Sequence, residues 1–237
     1  TGPLIAMGLM LLWADNFRAV FKVAIIPGFL AVALLLFGVK EPEKDRPGQH
    51  KFNPIHRESL RRLSSAYWRV VTVGAVFTLA RFSEAFLILR AQQGGLPLAF
   101  APLVLISMNM IYALSAYPFG RLSDKMSHSR LLTLGLAVLI GADIALACSN
   151  RGTWVWAGIA LWGLHMGLTQ GLLARMVADT APVDLRGTAY GFFNLVSGLA
   201  VLLASVFAGL LWDRFGAEFT FLAGALFSAI ALIAVLV

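Results

Sequence analysis

The sequence predicts an all-α integral membrane protein, and three observations support this fold class. Of its 237 residues, 59% are hydrophobic and only 13% are charged, whereas soluble domains carry about 25% charged residues. The apolar residues form long continuous runs without the alternation of a membrane β-strand, so helices are the expected spanning elements. Lys and Arg cluster between these runs, as they do in the cytoplasmic loops of membrane proteins.

Apolar runs long enough to cross a bilayer recur along the whole chain. A bilayer core of about 30 Å needs about 20 apolar residues per helix. Counting at that length gives one partial span, Gly2–Trp13, followed by seven full spans. The full spans are predicted at Phe21–Val39, Tyr67–Ala91, Leu98–Phe119, Leu131–Cys148, Thr153–Val177, Thr188–Trp212 and Phe219–Val237. Turn-forming residues such as Gly94, Asn150 and Pro182 separate the spans.

The charges of the loops predict the orientation of these spans. One alternate set of loops carries twelve Lys and Arg residues, and the other set carries four. Because positive loops stay in the cytoplasm, the richer set should lie on the inner side of the membrane; it comprises the stretches 40–66, 120–130 and 175–186. We therefore expect a multi-pass protein of the cytoplasmic (inner) membrane.

The stretch Lys40–Ala66 is the longest polar segment of the chain. Its first half is charged and contains prolines, which is typical of an extended tether. Asn53 and Pro54 then have the pattern of a helix start, and Leu60 and Leu63 would share one side of that helix. We expect either an amphipathic helix on the inner membrane surface or a disordered tether.

Composition and motifs argue against several classes of function. The single cysteine, Cys148, excludes an internal disulfide, and the four scattered histidines lack metal-ligand spacing. The sequence contains no phosphate-binding loop, nucleophile elbow or zinc-protease motif. The net charge of +7 belongs to membrane loops and not to a basic nucleic-acid-binding face. We expect no enzyme, no metal or other cofactor, and no nucleic-acid partner.

The charged loop between the spans of residues 98–119 and 131–148 carries the most informative motif. It reads Gly-Arg-Leu-Ser-Asp-Lys-Met-Ser-His-Ser-Arg from position 120 to position 130. This loop resembles the signature loop of the major facilitator superfamily, a large group of secondary transporters, at Gly120, Leu122, Asp124, Lys125 and Arg130. Ser127 and His128 depart from the pattern, in which a second glycine and a basic residue are usual.

The resemblance covers essentially the whole chain and implies its organisation. Residues 1–39 resemble the end of helix five and helix six of a first six-helix bundle. Residues 40–66 resemble the cytoplasmic linker between bundles, and residues 67–237 resemble the complete second bundle, helices seven to twelve. The N-terminal half of the same transporter is then missing from this chain and is its implied partner.

The resemblance also implies a function, namely secondary active transport of a small solute across a lipid bilayer by alternating access. Family breadth adds the interpretation that the solute is a small organic molecule exported in exchange for protons. The alternative, from another class, is a membrane receptor or scaffold that keeps the fold and moves nothing.

Ionisable and polar residues inside the predicted spans are the candidates for a solute or proton pathway, because a buried charge in a membrane is costly. Arg81 and Glu84 are spaced i,i+3 in one predicted helix, so they can reach each other on one face. They form either a site facing an aqueous cavity or a structural ion pair. Asp143 lies in a helix that the resemblance makes peripheral. The other pathway candidates, for which hydrogen bonds between helices are the structural alternative, are Asn109, Tyr112, His165 and Asn194.

Asp124 and Arg186 are interpreted as elements of a cytoplasmic gate, together with the rest of the signature loop. A carboxylate at a turn can bind the positive end of a neighbouring helix. By resemblance, this contact holds the two bundles together while the transporter faces outward. Lys125 and Arg130 also fit a plain topology signal.

Two stripes of small residues predict surfaces where helices approach closely. One stripe repeats every four residues at Gly163, Gly167 and Gly171. The second stripe follows the span 188–212 and consists of Gly187, Gly191, Asn194, Gly198 and Ser205. Each surface is either a static packing face or a sliding one.

Overall fold

The structure, a computed structural model, describes residues 2–13, 16–38, 57–149 and 152–236. In these ranges the chain is helical, and no β-strand occurs among them. The helices are α1 (Gly2–Leu12), α2 (Phe17–Gly38), α3 (Arg57–Arg61), α4 (Ser65–Leu79), α5 (Ala85–Gln93), α6 (Ala101–Ser123), α7 (His128–Ala147), α8 (Gly152–Thr180), α9 (Arg186–Phe215) and α10 (Ala217–Leu236). The predicted all-α fold class is confirmed.

Among the described residues, four helical stretches are long and apolar enough to cross a membrane. They are Arg18–Gly38, Leu98–Ser123, His128–Ala147 and Val183–Phe215. These stretches agree with four of the predicted spans. The last predicted span corresponds to a shorter apolar helix, Ala217–Ile233.

The predicted span Tyr67–Ala91 is wrong in one respect, because it is not one continuous helix. Helix α4 ends at Leu79 and α5 begins at Ala85, which leaves five non-helical residues, 80–84. The hydroxyl of Thr78 donates a hydrogen bond of 2.6 Å to the Gly74 carbonyl of its own helix, a contact that bends helices. We call the segment 80–84 the break.

A neighbouring helix satisfies a backbone group that the break sets free. The N–H of Ser83 donates to the Oγ atom of Ser205, on α9, at 3.1 Å. Non-helical backbone at membrane depth is tolerated where side chains of other helices replace the lost hydrogen bonds. A hydrogen bond between residues 122 positions apart in the sequence therefore stabilises the non-helical conformation of the break.

The first glycine stripe forms the close contact between α6 and α8. A Cβ atom at Gly163 would collide with the Met108 carbonyl, and one at Gly167 would collide with Ser115. Gly171 has no heavy atom within 4 Å of the position of a Cβ. The predicted packing surface is thus confirmed over two of its three glycines.

The part of the second stripe from Gly187 to Gly198 is not a packing surface within the described residues, whereas its last member, Ser205, contacts the break. Ideal Cβ atoms at Gly187, Gly191 and Gly198 would have no heavy atom within 4 Å. Asn194, on the same face of α9, is exposed. This face of α9 is open.

The polar loops predicted to share one side of the membrane meet at one end of the bundle. Arg62 forms a 2.8 Å ion pair with Asp184, and the Ser64 hydroxyl donates to the Thr180 carbonyl at 3.2 Å. The pair between Asp124 and Arg175 lies at the same end. We call this the inner end, since it carries the loops rich in Lys and Arg.

Only the last part of the predicted amphipathic segment is described, because residues 39–56 lie outside the described ranges. Helix α3 is five residues long. Leu63 is buried and Leu60 packs beside it, in a cluster with Tyr67, Val177 and Ala189. These two leucines therefore contact the bundle and not a lipid surface.

Helix α1 packs against α6 and buries Met10. Helix α2 packs against α1, and its apolar side chains are largely exposed, for example Phe37 at 88%. A helix that precedes the polar segment 40–66 thus lies on the bundle that follows it.

Candidate solute-binding cavity

A cavity of about 450 Å³ lies beside the break, between α4, α8 and α9. Its walls combine apolar and polar side chains. The apolar part includes Phe77, Leu173, Phe193 and Val201. The polar part includes Thr78, Arg81, Thr169, Gln170, Asn194 and Ser197.

Arg81 lies in the break and is the only charged residue among the described residues that line the cavity. Its backbone N–H still donates to the Thr78 carbonyl at 3.1 Å. Within the described ranges, its guanidinium has neither a hydrogen-bond acceptor nor a carboxylate within 4 Å. This cation of an apolar helical bundle therefore has no ion-pair partner in the described part of the chain.

The predicted pair of Arg81 and Glu84 does not form in the described part of the chain. Glu84 stands at the N-terminal boundary of α5, where its side chain makes no capping hydrogen bond. The i,i+3 geometry requires a continuous helix, and the break interrupts the helix between the two residues. Arg81 therefore lines the cavity, and Glu84 does not.

His165 lies directly behind the cavity wall. Its ring is fully buried and stacks on Phe77 with centroids 5.3 Å apart and planes 15° apart. The Nδ1 atom contacts the Gly135 carbonyl oxygen at 2.8 Å. Because a carbonyl only accepts, Nδ1 carries the proton in this contact. The Nε2 atom has no partner within the described ranges.

The remaining predicted pathway residues divide between the cavity and its surroundings. Asn194, on α9, lines the cavity as predicted. Asn109, on α6, is exposed and donates to the Leu105 carbonyl of its own helix at 2.8 Å. Tyr112 packs against the apolar core. The structure does not bring Asn109 and Tyr112 to this cavity.

Sequence reasoning did not single out Gln170 or Ser197, which both line the cavity. Gln170 is an amide inside an apolar span, the same signal that made Asn109 a candidate. Ser197 follows Asn194 by three residues, so both lie on one face of α9. The three-residue spacing from Asn194, which was already a candidate, would have identified Ser197.

Asp143, on α7, is fully buried on the far side of the break from the cavity. Neither of its carboxylate oxygens has a hydrogen-bond partner among the described residues. It lies against Gly224 of α10, where a Cβ atom would be 2.9 Å from Oδ2 and 2.8 Å from the ring of Phe82. Asp143 thus packs behind a residue of the break without reaching the cavity.

The signature loop engages its own bundle at the inner end. Asp124 follows the end of α6 and pairs with Arg175 of α8 at 2.5 Å. Arg175 also lies 3.7 Å from Asp179, one turn along the same helix. Leu122 packs into an apolar cluster with Leu131. The carboxylate is therefore used within this bundle.

The other residues of the predicted gate are exposed at the inner end. Gly120 lies in the last turns of α6, with open space around the position of a Cβ. Arg186 begins α9 and, within the described ranges, forms no ion pair. Lys125 and Arg130 are exposed as well.

Comparison with known proteins places this geometry in a family. Residues 1–205 match the family described as Major Facilitator Superfamily. An uncharacterized MFS-type transporter of Methanocaldococcus jannaschii is 34% identical over 224 residues, which are 91% of this chain and 54% of that protein. An uncharacterized protein of Mycobacterium tuberculosis is 26% identical over 90% of this chain and 52% of its own length.

A shorter part of the chain is similar to a transporter whose cargo is named. The human lysosomal dipeptide transporter MFSD1 is 30% identical over 112 residues, which are 46% of this chain and 24% of that protein. The chain spans about half the length of the long curated relatives that it matches.

Proposed function

This chain belongs to the major facilitator superfamily of membrane transporters, and from that premise we propose that it forms the second half of a secondary active transporter. The proposed transporter moves a small solute across the cytoplasmic membrane by alternating access. Residues 1–39 would end the first bundle, residues 40–66 would be the linker, and residues 67–237 would form the second bundle.

The observation that carries this proposal is the cavity at an interrupted helix. Secondary transporters bind their solutes near the bilayer midplane, where discontinuous helices line the site. Here the break supplies Arg81 to a 450 Å³ cavity that α8 and α9 complete with Gln170, Asn194 and Ser197. A receptor or scaffold has no need for an unpaired cation at membrane depth, which is costly to bury.

The open surfaces support a partner bundle as the other half of the site. The chain spans about half of its long relatives, and α1 already packs against α6 from outside the α4–α10 bundle. Cβ atoms at Gly187, Gly191 and Gly198 of α9 would have no heavy atom of the described residues within 4 Å. Gly198 and Asn194 also line the cavity. We propose that the N-terminal bundle covers this face and closes the solute site.

Proton coupling is the finer part of the proposal. His165 has a free Nε2 atom one aromatic ring away from the cavity, and neutral histidine is a common proton carrier. Glu84 lies at the edge of the break and is half-buried. Export of small organic molecules in exchange for protons fits these groups, and the dipeptide cargo of the human relative is also a small organic molecule.

The test is flux through the full-length protein in proteoliposomes. Solutes are first selected by thermal-shift binding, and their movement is then followed with and without an imposed pH gradient. We expect a bound solute to move in wild type and in the control variant Arg69→Gln, and to stop in Arg81→Gln. Arg69 is an exposed arginine of α4, the helix that precedes the break, and it does not line the cavity. Specific binding without flux would favour the receptor or scaffold.

A further inference from the structure

We propose that the solute is a small organic anion whose single carboxylate binds the guanidinium of Arg81. The inference rests on the proposed transport function, since it assigns the chemical class of the cargo to the same cavity. Three properties of the cavity carry it: its charge, its free hydrogen-bond donors and its apolar walls.

The charge of the cavity wall is positive, and no carboxylate of the described residues lies within 4 Å of it. Arg81 is the only charged lining residue in the described part of the chain. The two nearby acids are not its partners, because Glu84 forms no ion pair with it and Asp143 packs behind Phe82. A guanidinium offers a planar fork of donors that matches a carboxylate, and burying it without an anion is costly.

A purely structural role would leave a different pattern of contacts. A cation just after a helix can stabilise the negative C-terminal end of that helix. Arg90 does this at the end of α7, where its guanidinium donates to the carbonyls of Leu146 and Ala147 at 2.9 and 3.2 Å. Arg81 follows the end of α4 in the same way, but in the described ranges its guanidinium donates to no carbonyl.

The other polar groups of the wall divide into occupied and free ones. The hydroxyls of Thr78, Thr169 and Tyr190 donate to carbonyls at 2.6, 2.8 and 2.9 Å. The Ser197 hydroxyl is buried and has no partner among the described residues. The free donors among the described residues therefore lie on the break and on two helices, with Arg81 on the break, Gln170 on α8, and Asn194 and Ser197 on α9.

The size and the apolar walls indicate an organic solute. A water molecule takes about 30 Å³, so a cavity of about 450 Å³ far exceeds an inorganic ion. Phe77, Leu173 and Phe193 supply flat and branched apolar surface to the same cavity. This combination suits a compound with one carboxylate and an aromatic or aliphatic body, and it disfavours an amine, which would meet Arg81 with like charge.

The experiment compares probes that share one apolar body and differ in a single polar group, which is anionic, neutral or cationic. Purified full-length protein is titrated with benzoate, benzamide and benzylamine, and then with hexanoate, hexanamide and hexylamine, and Kd is taken from thermal shifts. We expect both carboxylates to bind at least about tenfold more tightly than their amides, and the amines not to bind. Binding of an amide or amine as tight as that of its carboxylate, or no binding of either carboxylate, would overturn the inference.

Variants then assign the binding to Arg81. Arg81→Gln should weaken carboxylate binding at least about tenfold, and Arg81→Lys should fall between this variant and wild type, because it keeps the charge but loses the fork. Arg69→Gln is the matched control and should bind like wild type. If Arg81→Gln does not fold, Arg81→Lys alone decides, and an unchanged Kd in it contradicts the proposal.

The outcomes separate this inference from the proposed function. Carboxylate binding that depends on Arg81 without any flux in proteoliposomes would remove transport and keep the anion site. Flux of a neutral or cationic solute that is unaffected by Arg81→Gln would keep transport and overturn the anion site.

Discussion

At the scale of single residues, a charge inside an apolar helix acquires its role from the acceptors that the fold brings to it. Arg81 and Arg90 lie nine positions apart, Arg81 in the break and Arg90 near the end of α5. Arg90 donates to the carbonyls of Leu146, Ala147 and Ser149 and to the Ser149 hydroxyl, and so ties α5 to the end of α7. In the sequence, both residues are arginines of one predicted span, Tyr67–Ala91; the pattern places Arg81 as a charge inside the membrane, and Arg90 counts with the outer loops.

Loss of the Arg90 donors should destabilise the protein. In Arg90→Met the apolar stem is kept, but the last carbonyls of α7 lose a charged partner, so unfolding should become easier by about 1.5–3 kcal/mol. The measurement is thermal unfolding in detergent. Arg214→Met changes an exposed arginine in the last turn of α9 and is the control. Equal melting temperatures for the two variants would show that the hydrogen bonds of Arg90 to the end of α7 do not stabilise the protein.

Ser205→Ala tests the bond that satisfies the break. Without the Ser205 hydroxyl, the N–H of Ser83 loses its partner, which should cost about 1–3 kcal/mol. Hydrogen exchange of the peptide 80–86, followed by mass spectrometry, should become faster. Ser205→Thr keeps the acceptor and should exchange like wild type, while Ser129→Ala on the exposed surface is the control. Unchanged exchange in Ser205→Ala would show that this bond does not hold the break.

At the scale of helices, the close approach of α6 and α8 depends on the absence of side chains. Gly163 and Gly171 lie on one stripe of α8, but only Gly163 contacts the backbone of α6. The same substitution at these two positions therefore has opposite expected effects.

Gly163→Ala should destabilise the protein by about 1–3 kcal/mol, because the backbone of α6 at Met108 must move away. Gly171→Ala has open space and gains helix propensity, so it should be neutral or stabilising by up to about 1 kcal/mol. Thermal unfolding of the two variants measures the difference. Similar destabilisation by both would contradict the packing.

The sequence was sufficient to predict the helices, but it did not predict the break. The long apolar runs determine where helices form, so the fold class was predictable from local composition. The interruption at residues 80–84 is stabilised by Ser205, which is 122 positions away from its partner Ser83, so no local pattern identifies this bond. Arg81 and Asn194 were found because a polar group in an apolar span is conspicuous, and the Arg81–Glu84 pair failed because it assumed a regular helix.

At the scale of the whole molecule, the loops at the inner end of the bundle determine the proposed orientation in the membrane, and they contain the proposed gate. Single cysteines at Ser65, Ser127 and Val183, in a Cys148→Ser background, should all react with an impermeant reagent from the cytoplasmic side. A cysteine at Gln93, at the opposite end, should react from outside. These positions are exposed in the structure. Outside labelling of any one of the first three in intact cells would overturn the proposed topology.

The Asp124–Arg175 pair is exposed, and exposed pairs contribute little to stability. Asp124→Asn in the full-length protein should therefore keep expression and melting temperature, but it should lower flux and favour the inward-facing state. Ser127→Ala, in the same loop, is the control. Normal flux in Asp124→Asn would reduce the loop to a topology signal.

The break has a mechanical consequence for the bundle. Helix α5 is fastened to α7 by Arg90, whereas α4 packs mainly on α9 and α8. Five non-helical residues between them let a hinge absorb a change of direction, because φ and ψ there are not fixed by a helical ladder. We expect the inner half of this membrane crossing to change its tilt relative to the outer half at the break. In the proposed transporter, a solute bound to Arg81 would lie at this hinge.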